Sequence, residues 1–199
     1  LGRVIVVSII AGFGTVQIAA NGVANSLDSM GCIVGQAMNL AMITVIGRCV
    51  GAGDSGQVRY YTKKLLKITY VCTFVVNSII LLCLPWILKC YGLSTETTQL
   101  SYILVMIHNG MAMFLWPASF VLPNMLRACN DVRFTMVLSI FSMFMFRIGF
   151  SYIIGVNMGY GAIGVWIAMV LDWIFRVICF VSRYLSGHWL KTAELKDNR

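Results

Sequence analysis

Charge is what this sequence has least of. Of its 199 residues only 11% are Asp, Glu, Lys or Arg, and seven in all are acidic. A water-soluble domain has roughly a quarter of its residues charged, so this chain lacks the side chains to cover a water-facing surface. Histidine is scarce too, at two residues, and so few ionisable groups leave little from which to build a catalytic dyad or a metal site. No HExxH, nucleophile elbow or Walker loop occurs, which argues against an enzyme and leaves the chain without a means of splitting ATP. The seven cysteines (Cys32, Cys49, Cys72, Cys83, Cys90, Cys129, Cys179) form no CxxC pair and lie mostly in apolar runs. They read as small packing residues, not as a disulfide framework or zinc site. A cleavable signal peptide is not expected, since no small-residue cleavage site follows a short apolar core. The sequence opens at Leu1 in mid-run and reads as a fragment.

What is present is apolar. Hydrophobic residues make up 59% of the chain, and the mean hydropathy is +0.85. Residues 4–27, 29–47, 68–88, 97–126 and 148–171 contain no Asp, Glu, Lys or Arg. About 20 such residues cross the ~30 Å hydrocarbon layer as a helix. Inside that layer each backbone N–H and C=O must find a partner within its own segment. Long continuous runs, unlike alternating ten-residue ones, also count against a membrane barrel. The expected fold is therefore all-α and polytopic. Six segments are placed at about 4–20, 29–47, 68–88, 99–122, 134–156 and 162–182 within a lobe spanning 1–190, and a polar tail covers 191–199. The breaks fall at Asn21-Gly22 and Asn25 to Ser29, at Gly51-Ala52-Gly53-Asp54, at Tyr91 to Thr95, at Asn130-Asp131, and at Gly155, Gly159 and Gly161.

The net charge of +8 is distributed in a way that sets the orientation. With six alternating segments, one set of loops and ends holds Arg3, Arg48, Arg59, Lys63, Lys64, Lys67, Arg127, Arg133, Arg183, Lys191, Lys196 and Arg199, and the other holds only Lys89. By the positive-inside rule both termini are expected to be cytoplasmic. That rule accounts for the basic balance without nucleic acid. Trp86, Trp166 and Trp189 fall near segment ends and suit an interfacial belt, whereas Trp116 and Trp173 lie deeper.

Ionisable groups at bilayer depth cost about 2.5–3.5 kcal/mol each on insertion scales, so they face a partner or a cavity. His108, Arg147, Asp172 and Arg176 are such groups. At ~1.5 Å per residue, Arg147 and Asp172 lie about 20 and about 16 Å from the same end of two neighbouring antiparallel segments. They are expected to pair, with Arg176 one turn below Asp172 on the same face. A static clamp and a charge cluster facing a transport cavity both fit that arrangement. His108, beside Asn109, titrates near neutrality in its unperturbed form and is a candidate proton carrier. Pro117 is expected to bend its helix by freeing the carbonyl at Met113. Gln36, Asn39 and Asn77 complete the candidate substrate or ion ligands, with interhelical hydrogen bonding as their plainer role. Methionines such as Met106, Met113 and Met143 suit an adaptable apolar surface. No metal site and no cofactor is expected. Without a P-loop, any uphill transport would draw on an ion gradient or another subunit.

Three motifs occur in an order that resembles a known family. Val45-Ile46-Gly47-Arg48-Cys49-Val50-Gly51-Ala52-Gly53-Asp54 is similar to the end of the eighth helix in the multidrug and toxic compound extrusion (MATE) family. Pro123-Asn124-Met125-Leu126-Arg127-Ala128-Cys129-Asn130-Asp131 is similar to the turn after its tenth helix, with Asn130 standing where the family usually has glycine. Gly161 to Trp166, Asp172-Trp173, Arg176, Arg183-Tyr184, Gly187 and Trp189 resemble its twelfth helix and tail. The resemblance implies the second lobe of a twelve-helix antiporter, its first helix truncated. Such a protein exports organic cations across the cytoplasmic membrane in exchange for protons or sodium. It implies lipid, small organic cations and a missing N-terminal six-helix lobe or a second copy as partners. It leaves a lipid-linked oligosaccharide flippase or a non-transporting truncation as alternatives. Beside the resemblance, Gly51 or Gly53 fits a left-handed helix cap, and Asp54 and Asp131 fit helix capping or a grip on basic loop residues.

Overall fold

The structure, a computed structural model, describes residues 2–195, with side chains from Val4 onward. The side chain of Arg3 and the tail residues from Lys196 to Arg199 lie outside the described residues. Seven helical elements follow in order: α1 (Gly2–Ala11), α2 (Thr15–Gly51), α3 (Ser55–Cys90), α4 (Thr95–Ala128), α5 (Val132–Asn157), α6 (Gly161–Leu185) and α7 (His188–Thr192). Helices α2 to α6 are long and apolar enough to cross a membrane. Five of the expected segments (29–47, 68–88, 99–122, 134–156, 162–182) fall inside α2, α3, α4, α5 and α6.

The first break is in a different place. Asn21 to Ser29 does not interrupt the chain; Thr15–Gly51 is one helix of 37 residues, and the turn is at Gly12-Phe13-Gly14, with Gly14 at φ +102°. Five long apolar helices and a ten-residue α1 therefore replace six spans of similar length. The physical reason is that the polar residues of 21–29 are satisfied without leaving the helix. Asn25, Ser26 and Ser29 bond back to the carbonyls of Asn21, Gly22 and Asn25 at 2.8, 3.1 and 2.8 Å. Asn21 Oδ1 accepts from Trp166 Nε1 on α6 at 3.1 Å.

At the other turns the local chemistry is as anticipated. Gly53 takes φ +72° after α2, Gly51 is the last residue of that helix, and Asp54 caps α3 by accepting from the Gln57 N–H at 2.9 Å. Asn130 adopts φ +62°, the left-handed region that asparagine tolerates better than most non-glycine residues. Asp131 caps nothing with its side chain; it grips Arg183 through both oxygens at 2.7 and 3.1 Å. Cys129, just beyond α4, is buried, and its thiol is pushed up to about 12 by burial and then by the Asp131 charge. It is a packing residue.

Each long helix buries one stripe. On α3 it runs Val58, Thr62, Thr69, Thr73, Asn77, Ile80, Leu84, Leu88, the three- and four-residue spacing of one helix face. Thr62 and Thr69 return their hydroxyls to carbonyls four residues back, both at 2.7 Å. The opposite faces expose large apolar side chains such as Ile33, Leu40, Phe74, Leu82, Phe114 and Ile178, the surface a bilayer requires. Two belt expectations are corrected: Trp166 and Trp189 are buried, bonded to Asn21 and to the Tyr184 carbonyl. Trp86 is the exposed one.

Helices α5 and α6 cross at glycines. A Cβ on Gly164 would lie 2.8 Å from Gly155 N and from the Ile154 carbonyl carbon. Backbone atoms cannot rotate aside as a side chain can. Gly164→Val is expected to force the helices apart, at about 1–3 kcal/mol or more of overpacking, and to lower the thermal transition of the detergent-solubilised protein. An unchanged transition would contradict this crossing.

The buried apolar residues form two clusters. One, toward the turn between α5 and α6, gathers Ala20, Val23, Leu27, Leu84, Leu104, Val105, Val165 and Trp166. The other, toward the end carrying Arg48, Arg127 and Arg183, gathers Met42, Ile46, Val58, Leu122, Met125, Leu126 and Phe180. Between them on every central helix lies a polar position: Asp28 on α2, Asn77 on α3, His108 and Asn109 on α4, Asp172 on α6. This polar layer is where the bundle departs from a simple apolar core.

Candidate functional site

The layer is built around Asp28, a residue that sequence reasoning left in a loop. Because α2 runs unbroken, its carboxylate is carried into the bundle, with its side chain 22% exposed. Asp28 Oδ1 lies 3.2 Å from His108 Nδ1 and accepts from Cys32 Sγ, one turn on, at 3.2 Å. His108 Nδ1 is also 3.2 Å from Asn109 Oδ1. An ionised carboxylate only accepts, so beside it Nδ1 carries a hydrogen whichever charge state the ring has. The imidazole is held edge-on by Trp166 and Trp173, with ring centroids at 5.0 and 4.7 Å. The result is a carboxylate tethered to a buried histidine eighty residues away.

Behind this pair sits an amide pocket. Asn77 Nδ2 donates to the Thr73 carbonyl at 2.8 Å and to the Gly31 carbonyl at 3.4 Å. Asn77 Oδ1 and Asn109 Nδ2, both buried, have no hydrogen-bond partner among the described residues. Both lie where a side chain on residue 31 would be, at 2.5 and 3.4 Å from an added Cβ. Glycine at 31 is what gives these amides their room.

In front of the pair is a cavity of about 320 Å³. Asp28 and His108 open onto it together with Trp116, Phe120, Met143 and Trp173. Arg147 reaches it from α5, where its Nη2 donates to Met169 Sδ at 3.3 Å. Asp28 is the one carboxylate among these lining residues, and its charge and the negative faces of the rings attract cations, while Arg147 on the same wall opposes them. Trp116 fits against α2 only because residue 35 is glycine, where an added Cβ would come within 2.0 Å of the ring.

Asp172 belongs to a different constellation. It is fully buried, and Arg176 Nε donates to its two oxygens at 3.0 and 3.1 Å. The contact that crosses between helices comes from Ser142 Oγ on α5, which bonds Asp172 Oδ1, while Arg176 Nη2 reaches the Ser139 carbonyl at 3.3 Å. The guanidinium that grips Asp172 is therefore its own neighbour four residues on. Arg147, one and a half turns further along α5, lines the cavity with Asp28. Ser142 and Arg176 thus tie α5 to α6 through Asp172, and Arg176 also lines a second cavity.

The remaining candidates divide. Gln36 lines the Asp28 cavity and a second one beside it. Asn39, on the same face as expected, lines only the second, where its Oδ1 accepts from Asn124 Nδ2 at 2.9 Å. Pro117 does not break α4 but opens a π-helical turn, Pro117–Val121, the local widening with which a helix absorbs a missing N–H. Asp28, Cys32, Trp116, Phe120 and Trp173 are the members that sequence reasoning did not assign. The available signal was that Asp28 is the sole ionisable carboxylate between Leu1 and Gly53, flanked on both sides by uncharged runs.

Long apolar helices around a buried polar layer and an aromatic-walled cavity define a multi-pass membrane protein of the helical-bundle class. Comparison with known proteins narrows this. The model of the MatE family matches residues 1–153. Over 186 residues the chain is 22% identical to "Probable multidrug resistance protein NorM" of Thermotoga maritima, covering 94% of this chain and 40% of that protein. Over 71 residues it is 30% identical to "Uncharacterized transporter YisQ" of Bacillus subtilis, covering 36% of this chain and 16% of that one. The chain belongs to the MatE family, a family of transporters and not of enzymes. It spans less than half the length of these two relatives.

Proposed function

We propose that this chain forms one lobe of a secondary antiporter that exports organic cations across the cytoplasmic membrane in exchange for protons or sodium. The observation that carries the reading is Asp28, a carboxylate bonded to His108 and facing a cavity walled by Trp116, Phe120 and Trp173. A cargo cation seeks this carboxylate and the ring faces beside it. A proton or a sodium ion seeks the same oxygens. Two cations that cannot occupy one carboxylate together exchange across the membrane, which is antiport in its simplest form. His108 positions the carboxylate and offers a second proton-holding atom within hydrogen-bond reach.

A second six-helix lobe, on the same polypeptide or in a second copy, closes the path. The coverage of 40% of the NorM relative supports that division. The basic residues at the α2–α3, α4–α5 and α6–α7 connections support a cytoplasmic location for that end.

Transport in everted vesicles containing the two-lobed assembly tests this reading. Ethidium uptake is expected to stop when one gradient is removed, the proton gradient by an ionophore or the sodium gradient by equilibration. Uptake that survives the loss of both would sink the antiport assignment.

A further inference from the structure

The second cavity differs from the first in its charges: the first carries Asp28 beside Arg147, and the second carries arginines alone. It holds about 370 Å³ between α2, α4, α5 and α6. No Asp or Glu lines it, while Arg127 and Arg176 both do. Arg176 is balanced by Asp172 behind it, at 3.0 Å. Arg127 is held differently. Its Nη1 donates to Asn124 Oδ1 at 2.8 Å, and Asn124 Nδ2 donates to Asn39 Oδ1 at 2.9 Å and to the Phe120 carbonyl at 3.1 Å. These partners are neutral. None of the ion pairs Asp28–His108, Asp172–Arg176 and Asp131–Arg183 belongs to Arg127.

A guanidinium has five N–H donors in a planar fork. The amide relay occupies one and fixes the direction of the rest. Serine hydroxyls at 119 and 139 add short polar groups to the same wall. A cavity with a fixed, uncompensated positive charge and no competing carboxylate is built for an oxyanion, since guanidinium geometry matches a carboxylate or a phosphate.

We propose that this cavity is an anion-binding site that takes a single carboxylate or phosphate group on Arg127, with Arg176 as the flanking charge. The group comes either from a small organic acid or from the headgroup of an acidic lipid. The inference stands apart from the antiport reading, because binding at this site does not require the lobe to transport anything.

The test uses the full 199-residue chain in neutral detergent at low salt, titrated separately with benzoate and with dihexanoylphosphatidate. At least one is expected to bind saturably, and Arg127→Gln is expected to weaken that ligand at least tenfold. Gln36→Glu is the second variant. Gln36 is an exposed side chain that lines both cavities, so it brings a carboxylate to the wall without touching the amide relay. It is expected to weaken the anion at least severalfold. Benzoate binding alone identifies an organic-acid site, phosphatidate alone a lipid site, and both a shared oxyanion site. Failure of both ligands to bind the wild type overturns the proposal. So does a ligand bound equally well by wild type and Gln36→Glu, which also decides the matter should Arg127→Gln fail to fold.

Discussion

Asp28→Asn is expected to reduce ethidium binding by at least about 30-fold, the equivalent of ~2 kcal/mol, and to abolish efflux by the two-lobed assembly. The figure is the lower end of the range for removing one partner of a sheltered charge pair, roughly 2–5 kcal/mol. The substitution is nearly isosteric. Its amide oxygen can still accept from His108 and Cys32, which now sit 3.2 Å from the carboxylate, so the helix packing has no reason to change. What disappears is the negative charge, and with it the attraction for either competing cation. Asp28→Glu, which keeps the charge and displaces it by one methylene, is expected to retain partial binding. Equal ethidium titrations for the Asn variant and wild type, with both folded, would remove the carboxylate from the binding site.

Asp172→Ala is expected to act through a different route and to deplete the folded protein. The carboxylate is fully buried and neutralises Arg176, which is itself 11% exposed. Truncating it leaves a guanidinium without its counter-charge and Ser142 without its acceptor. Breaking a buried pair in this way costs about 3–5 kcal/mol, comparable with the whole stability margin of many domains. Size-exclusion chromatography of the solubilised membrane fraction should show a reduced monodisperse peak and a lower thermal transition. The double variant Asp172→Leu/Arg176→Met removes both charges, so it should recover much of the loss. A single Asp172→Ala protein as stable as wild type would show that no clamp exists there.

These two carboxylates show how far the sequence could be read. The scarcity of charge and the uncharged runs predict a helical membrane bundle, because in lipid the backbone has no other way to satisfy itself. Five segment positions and the caps at Gly53 and Asp54 follow from local chemistry and are found where local chemistry puts them. Equal depth was the ground for expecting Asp172 to pair with Arg147, yet depth does not say which donor reaches which acceptor. Arg176, on the same helix, was closer. Asp28 was missed for a related reason. Asn and Ser around it look like a loop when read in one dimension, since nothing local reveals that Trp166 and His108 await them across the bundle. Trp166 shows the same limit: a ring near a segment end is read as an interface anchor until a buried amide is found opposite it.

The π-helical turn after Pro117 has a consequence for how one helix serves two chambers. A widened turn is in effect one surplus residue, worth about 100° of rotation against an unbroken α-helical register. The ring of Trp116 lies ahead of that offset and the guanidinium of Arg127 lies past it. The backbone thus acts as a fixed swivel, setting the compartment of Asp28 and that of Arg127 at a chosen angle before any side chain is considered.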